Sequence, residues 1–184
     1  MRPVARQIFQ LKITLDGVAP SVWRRVLVPG GYTLDRVHRC IQYAMGWRDC
    51  HLHSFDIDGV QYGMPDADDD PDLRDELDAR LDAVAKAGTR IRYTYDYGDW
   101  WEHTIEVEDV GPADADERYP ICVDGERACP PEDVGGVFGY AELLAAIRDP
   151  RHPEHERFTG WLGGRYDPEA FMAESATTLL RRLA

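Results

Sequence analysis

Two runs of alternating apolar and polar residues, separated by a short polar tip, restrict this chain to a fold that contains an antiparallel sheet. The runs are residues 91–97 and 101–107, in which an aromatic or β-branched side chain stands at every second position. Successive side chains of a strand point to opposite faces, so each run predicts a strand with one buried face. The tip contains Gly98 and Asp99, which favour a turn. We therefore expect a β-hairpin whose buried face is aromatic.

The register of this hairpin follows from the length of its loop. A three-residue loop, 98–100, pairs Tyr95 with His103 and keeps the aromatic side chains together on one face. The same register pairs Arg92 with Glu106 on the other face, where opposite charges stabilise a sheet. We therefore predict the three-residue loop, with His103 on the core face.

The predicted register also places two carboxylates, Asp96 and Glu102, opposite each other, with Asp99 close by. Facing like charges destabilise a sheet, and such conflicts often mark functional sites. These groups could bind a divalent cation or act as a general acid or base, and they could equally point into water at a frayed tip. The candidate functional cluster comprises Asp96, Asp99, Trp100, Glu102, His103, Glu132 and Asp133.

Several residues have side chains that ligate metals. Cys122 and Cys129 are too far apart for a CxxC knuckle, so a zinc site would need ligands from elsewhere, and a pair of packed thiols is the alternative. His51 and His53 alternate along another predicted strand and would also need at least one further ligand. The possible cofactor is therefore a divalent metal. Its candidate ligands are His51, His53, Asp99, His103, Cys122 and Cys129.

The remaining patterns predict an α+β fold. Alternation or turn signals predict strands at 9–15, 22–28, 51–57 and 60–62, with Asp58-Gly59 as a type I′ turn. Helices are predicted from Thr33 to Gly46, over 140–149, from Pro153, and from Pro168 behind an Asp167 cap. We expect one domain, 1–184, in which an antiparallel sheet built from hairpins packs with an N-terminal helix and C-terminal helices.

Charge and hydropathy limit the partners and the location of the chain. The formal net charge of −13 repels phosphate backbones, so direct DNA binding is disfavoured. No apolar run approaches the roughly 20 residues that cross a bilayer, and residues 1–10 lack the apolar segment of a signal peptide. We therefore expect no membrane contact and a cytoplasmic location. The acidic stretch 66–78 lacks the spacing of a calcium loop and is interpreted as a solvated loop.

Six motifs in order resemble the plasmid pRiA4b ORF-3-like family. They are Ile8-Phe-Gln-Leu-Lys-Ile, Val22-Trp-Arg-Arg-Val, Met45-Gly-Trp-Arg-Asp-Cys-His-Leu-His-Ser-Phe, Tyr95-Asp-Tyr-Gly-Asp-Trp-Trp-Glu-His, Cys129-Pro-Pro-Glu-Asp-Val-Gly-Gly and Asp167-Pro-Glu-Ala-Phe. The resemblance covers nearly the whole chain. It implies a compact α+β domain, often encoded on plasmids and other mobile elements, without an established molecular function. Val134 stands where many relatives have a third cysteine, which weakens a zinc site built on cysteines.

Some relatives carry a transposon passenger resolvase label, which the residues of this chain do not support. A serine recombinase needs a nucleophilic serine among several arginines and a basic DNA-binding segment. The chain has three serines, Ser21, Ser54 and Ser175. Ser21 is followed by Arg24 and Arg25, but no basic tail or helix-turn-helix pattern accompanies them.

Two classes of function remain. The first is a non-enzymatic binding or accessory module that holds a protein or a small molecule in a groove between the tip 95–103 and the loop 122–140. Trp100 in the tip and Trp47 after a helix are expected to be exposed there, and Trp is enriched at binding hot spots. The alternative is a metal-dependent hydrolase or phosphoesterase whose Asp, Glu and His residues gather around a cation at the tip.

Overall fold

The alternating runs of the sequence form the strands of one mixed sheet. The structure is a computed structural model that describes residues 7–65, 72–164 and 166–184. Its strands are β1 (Gln7–Leu15), β2 (Val22–Pro29), β3 (His53–Ile57), β4 (Val60–Gly63), β5 (Arg74–Asp75), β6 (Arg90–Tyr95), β7 (Trp101–Pro112) and β8 (Ile121–Glu126). Within the described ranges these eight strands lie in the order β5-β4-β3-β6-β7-β1-β2-β8. Neighbouring strands are antiparallel except β4 and β5, which are parallel.

Helices pack with this sheet. They are α1 (Leu34–Met45), α2 (Leu81–Val84), α3 (Gly136–Arg148), α4 (His155–Leu162) and α5 (Ala173–Leu180), followed by a 3₁₀ turn at Arg181–Leu183. α1 packs against β2 and α5, and α5 packs against β8. The predicted α+β class is confirmed. No helix in the described part of the chain is long and apolar enough to cross a membrane.

Helix α1 forms as its spacing predicts. Apolar side chains at helical intervals are buried, and the helix ends at Gly46, whose φ of 95° is the left-handed conformation that glycine adopts without strain. Trp47 follows and donates its backbone N–H to Gln42 O at 3.0 Å. The indole packs on Tyr95 and His103 of the sheet, and Trp47 is 5% exposed. The prediction of an exposed Trp47 was therefore wrong.

The central hairpin has the predicted faces and a different register. Tyr95 pairs with Trp101 and Tyr93 with His103, so the loop is 96–100 and contains five residues. The predicted three-residue loop was wrong because the backbone leaves the ladder earlier: Asp96 and Trp100 both have a positive φ, and Trp100 N–H donates to Asp96 O at 2.6 Å. Tyr95, Trp101 and His103 are fully buried, as the aromatic-face prediction required.

The corrected register removes the predicted repulsion at the tip. Thr94, not Asp96, lies opposite Glu102, and Arg90, not Arg92, pairs with Glu106. The cross-strand conflict that drew attention to Asp96 is therefore absent. Asp96 occupies the first position of the loop instead.

Two further local predictions can be compared with the structure. Asp58 and Gly59 have φ values of 51° and 80°, as a type I′ turn requires, and join β3 to β4. The last helix begins at Ala173 rather than at Pro168. The Asp167 side chain accepts the Glu169 N–H at 3.0 Å, which closes an isolated turn that the chain does not continue as a helix. In the stretch predicted to be an acidic loop, Arg74–Asp75 form β5, and residues 66–71 lie outside the described residues.

Candidate functional site

Five side chains from three separate segments meet beside the tip of the central hairpin. They are Cys50 and His51 from the segment between α1 and β3, Asp96 from the end of β6, and Glu132 and Asp133 from the segment between β8 and α3. We call this group the His51 cluster. Ligand atoms of Cys50, His51 and Glu132 lie within 4.8 Å of one another, and so do those of His51, Asp96 and Asp133.

The imidazole of His51 lies at the centre of the cluster. Its Nε2 is 3.2 Å from Asp133 Oδ1, 3.5 Å from Asp96 Oδ2 and 3.7 Å from Glu132 Oε2. The same nitrogen is buried and makes no hydrogen bond within the described residues. Three carboxylates thus face one imidazole nitrogen without being bonded to it.

Asp96 is held by the loop that it begins. Its backbone N–H donates to Leu52 O at 2.8 Å, which ties the tip to the segment that carries His51. Its Oδ1 accepts the Gly98 N–H at 2.9 Å. Its Oδ2 remains directed at His51, and the side chain is 8% exposed. The fold therefore buries a carboxylate with one oxygen satisfied and the other turned into the cluster.

Glu132 is the second buried carboxylate. Its Oε1 accepts the Arg48 N–H at 2.7 Å and the Tyr95 hydroxyl at 3.3 Å. Tyr95 in turn accepts the Cys50 N–H at 3.2 Å, and burial raises the pKa of this phenol well above its ordinary value. The phenol therefore stays protonated at neutral pH and can donate to the carboxylate. Glu132 is therefore oriented by the segment after α1 and by β6.

Two contacts hold the loop of Glu132 and Asp133 against the rest of the fold. Trp47 Nε1 donates to Pro130 O at 3.0 Å, and Gly135 N–H donates to Asp99 Oδ2 at 3.0 Å. Asp99 thus joins the hairpin tip to the loop. The two segments that the sequence predicted to flank a groove do lie together.

The spacing of the cluster matches that of ligands around a small divalent cation. Four ligands at 2.0–2.1 Å from a tetrahedral Zn²⁺ lie roughly 3.3 Å apart. The three distances from His51 Nε2 bracket this value. Imidazole, carboxylate and thiolate together favour a borderline metal such as Zn²⁺ over Ca²⁺ or Mg²⁺, which prefer oxygen alone. Zn²⁺ therefore suits each of the two ligand triads, Cys50-His51-Glu132 and His51-Asp96-Asp133, which share His51.

A cavity of about 780 Å³ adjoins the cluster, and Cys50 and His51 of the cluster line it. Its other polar lining includes His38, Asp49 and Glu76, none of which was predicted as a site residue. The sequence pattern gave only a weak indication that these residues line a site. His38 is a titratable residue in the largely apolar buried face of α1, and Asp49 directly precedes Cys50. Only the tertiary fold brings these positions together.

Comparison with known proteins identifies the family. The sequence pattern of the family described as Plasmid pRiA4b ORF-3-like protein matches residues 7–175. The chain belongs to this family. Uncharacterized protein y4hQ of Sinorhizobium fredii (strain NBRC 101917 / NGR234) is 42% identical over 171 residues, which are 89% of this chain and 85% of that protein.

A solved structure supports the fold of this pRiA4b ORF-3-like protein. The crystal structure of a protein of unknown function, MM3350 from Methanosarcina mazei Go1, has a TM-score of 0.86 and 36% sequence identity. The similarity covers 93% of this chain and 98% of that chain. The description of neither relative states an activity.

Some predicted site residues of the pRiA4b ORF-3-like protein lie elsewhere. His53 lies at the start of β3 and bonds Glu76 Oε2 through Nε2 at 2.8 Å, while its ring stacks on His38. His103 is fully buried, with its Nδ1 3.1 Å from Trp101 O, and burial lowers its pKa to about 4. Neither imidazole belongs to the ligand groups around His51, because His53 bonds Glu76 and His103 packs against Trp47 and Tyr93.

The tip residues divide between the two faces of the hairpin. Trp100 is 55% exposed and its ring lies 5.6 Å from that of Tyr97. Glu102 is exposed and lines a shallow hollow with both of these aromatic residues. This hollow is separate from the His51 cluster. Of the predicted tip carboxylates, the fold brings only Asp96 into the cluster.

The two predicted cysteine ligands form no metal-binding group in the part of the chain that is described. Cys122 Sγ is 3.4 Å from Asp124 O, and burial raises its pKa. Burial also raises the pKa of Cys129 well above its ordinary value, so both thiols are protonated at neutral pH. Groups of three or more ligand atoms among the described residues occur only around His51. The thiol that the fold places in such a group is Cys50, which the sequence did not single out.

Proposed function

We propose that this protein is a binding module that holds a divalent cation in the His51 cluster, within the groove between the hairpin tip and the loop 122–140. The observation that carries the proposal is the Nε2 atom of His51, which is buried, makes no hydrogen bond with any described residue and faces three carboxylates at 3.2–3.7 Å. A cation beside this nitrogen would bond His51 together with Asp96 and Asp133, whose ligand atoms lie within 4.8 Å of one another, and Glu132 would lie next to it.

Electrostatics favours a cation over an empty cluster. Three carboxylates around one imidazole repel one another, and two of them, Asp96 and Glu132, are buried where water screens their charge poorly. A proton on His51 would offset one of the three negative charges. A divalent metal offsets two and supplies a bond to each ligand as well. We choose Zn²⁺ because the donor set combines nitrogen, oxygen and a nearby thiol.

The experiment is a zinc titration of the purified protein, followed by calorimetry and thermal unfolding. We expect stoichiometric binding and a stabilisation of about 2.7 kcal/mol at a zinc concentration one hundred times the Kd. His51→Gln should weaken binding by at least about 100-fold, because it removes the ligand shared by both groups of the cluster. His152→Gln, which changes a histidine outside the cluster, is the matched control.

Two results would reject the proposal. One is the absence of a thermal shift with Zn²⁺, Mn²⁺ or Mg²⁺. The other is equal zinc affinity for His51→Gln and His152→Gln, since zinc would then bind elsewhere on this acidic chain. Elemental analysis of protein purified without chelators measures independently whether the protein contains a bound metal.

A second candidate function, a metal-dependent hydrolase, is favoured by the cavity that adjoins the cluster at Cys50 and His51. A substrate in this cavity would lie beside the cation, and Zn²⁺ lowers the pKa of a bound water to about 7. Zinc-loaded protein should then hydrolyse p-nitrophenyl acetate faster than His51→Gln does. If the two rates agree, hydrolysis at this site is rejected while the binding proposal stands.

A further inference from the structure

The cavity beside the His51 cluster has the size and the mixed lining of a small-molecule site. Its volume of about 780 Å³ lies within the roughly 300–1,000 Å³ typical of such sites. The apolar part of its wall comprises Leu52, Met64, Pro65 and Leu73, with Tyr97 beside them. The polar part includes carboxylates and histidines, and their hydrogen bonds show how the carboxylates are held.

The first carboxylate, Asp49, belongs to a closed ring of hydrogen bonds. Gln42 Nε2 donates to the Tyr93 hydroxyl at 3.1 Å, and that hydroxyl lies 2.8 Å from His38 Nδ1. His38 Nε2 is 2.6 Å from Asp49 Oδ1, and Asp49 N–H donates back to Gln42 Oε1 at 3.1 Å. Burial and the adjacent His53 lower the pKa of His38 to about 4. At neutral pH the tyrosine therefore donates to an uncharged His38, which donates to Asp49.

The second carboxylate, Glu76, is bonded by His53, and the two histidines stack with ring centroids 3.4 Å apart and planes 2° apart. His38, whose pKa burial lowers to about 4, is uncharged at neutral pH and leaves the charge of Asp49 in place. His38 and His53 thus fix Asp49 and Glu76 at the wall of the cavity.

Acidic groups outnumber the groups of fixed positive charge in the described part of the wall. Three carboxylates, Asp35, Asp49 and Glu76, line it together with one guanidinium, Arg39. Arg39 is already engaged, with its Nη2 3.5 Å from Asp35 Oδ2. The whole chain has a formal charge of −13, so its field repels anions from the same opening.

We infer that this cavity binds a small organic cation, an ammonium or guanidinium group carried on an apolar body. The charged group would meet Asp49 and Glu76, and the body would contact the apolar wall. The aromatic ring of Tyr97 adds a surface that attracts cations. The inference goes beyond the proposed function and does not require zinc. It excludes phosphate esters and carboxylates as ligands of this cavity.

The test uses three probes with one ring and different charges, namely benzylamine, benzyl alcohol and benzoate. Each is titrated into the full chain in EDTA at pH 7.5, and binding is measured by ligand-observed NMR. We expect benzylamine to bind at least about fivefold more tightly than benzyl alcohol, which corresponds to about 1 kcal/mol, and benzoate not to bind. Equal binding of the amine and the alcohol, or tighter binding of benzoate, overturns the inference.

Variants locate the binding in the cavity. Asp49→Asn and Glu76→Gln should each weaken benzylamine binding by about threefold or more, whereas Asp109→Asn, which removes one exposed charge from β7, should not. If Asp49→Asn does not fold, Glu76→Gln decides. Equal affinities in the cavity variants and the control reject the cavity as the site. Because the titrations contain EDTA, a failure of zinc binding leaves this result unaffected.

Discussion

Three aspartates around the site owe their positions to a backbone conformation that few residues adopt. Asp49, Asp96 and Asp133 have φ values of 56°, 58° and 59°. This left-handed region costs most L-residues roughly 1–2 kcal/mol, whereas Asp and Asn tolerate it better because their short side chains bond locally. The chain turns at each of these aspartates, and their carboxylates face the cluster or line the cavity. Residue type and site geometry are therefore linked through the backbone.

This link allows charge to be removed without disturbing the backbone. Asp96→Asn and Asp133→Asn keep a residue that accepts a positive φ. We therefore expect the free energy of unfolding in EDTA to be unchanged or slightly higher, because each variant relieves charge repulsion within the cluster. Zinc affinity should fall about tenfold or more for each, about 1.4 kcal/mol. Chemical denaturation and calorimetry measure the two effects separately.

Asp58→Asn is the matched control. Asp58 also has a positive φ, 51°, and lies in the β3–β4 turn outside the cluster. Its zinc affinity should equal that of the original protein. If all three variants bind zinc equally well, the carboxylates of Asp96 and Asp133 are not ligands.

At the scale of secondary-structure elements, the site depends on the contact between the hairpin tip and the loop before α3. Asp99 accepts the Gly135 N–H, and Gly136 lies so close that a Cβ atom on it would be 2.4 Å from Asp99 O. Gly136 also has a φ of 66°. Both observations require glycine here, because any side chain would push the tip and the loop apart.

Gly136→Ala should therefore destabilise the protein by about 1–3 kcal/mol and weaken zinc binding, since Glu132 and Asp133 lie in the displaced loop. Gly160→Ala, in α4, is a control for which we expect the opposite change in stability, because no described atom outside the helix backbone lies within 4 Å of the added Cβ. Alanine there should stabilise the helix by about 0.5–1 kcal/mol. Urea denaturation of both variants measures the two changes in the free energy of unfolding. Equal unfolding free energies would show that the tip and the loop do not need the close approach.

The same scale shows what the sequence could predict. Local patterns predicted α1, the Asp58-Gly59 turn and the aromatic face of the central hairpin, because each depends on residues close in sequence. The register failed because the left-handed backbone of Asp96 and Trp100 enlarges the loop, and strand alternation carries no information on that. Asp96, Glu132, Asp133 and His51 were all singled out as candidates, but their meeting depends on long-range packing of three segments. Cys50 was missed for the same reason.

At the scale of the whole molecule, two histidines are buried without charge on the core side of the sheet. His103 packs among Tyr93, Trp47 and Trp101, and His38 lies against His53, Tyr93 and Asp49. Burial is the main cause that lowers the pKa of each to about 4, from an ordinary value of 6.5. For His103 the backbone hydrogen bonds with Tyr93 and Trp101 oppose it only in part. For His38 the nearby Asp49 and Glu76 oppose it only in part.

These two pKa values predict a loss of stability in acid. Between pH 6.5 and 4 the unfolded chain binds protons at both histidines and the folded chain does not, so the unfolding free energy falls as the pH decreases through this window. The stabilisation that comes from the uncharged histidines is fully present above about pH 6.5. Below about pH 4 these groups cause no further loss of stability. Each histidine contributes a slope of up to about 1.4 kcal/mol per pH unit.

His103→Gln should lower the measured slope by up to about 1.4 kcal/mol per pH unit, the contribution of one proton. This holds whether or not the variant changes the unfolding free energy at pH 8. Trp101→Phe changes a buried neighbour that does not titrate, so it should shift the curve without changing its slope. Urea denaturation at several pH values between 4 and 8 measures this, and an unchanged slope in His103→Gln would mean that the buried imidazole is already protonated in the folded protein.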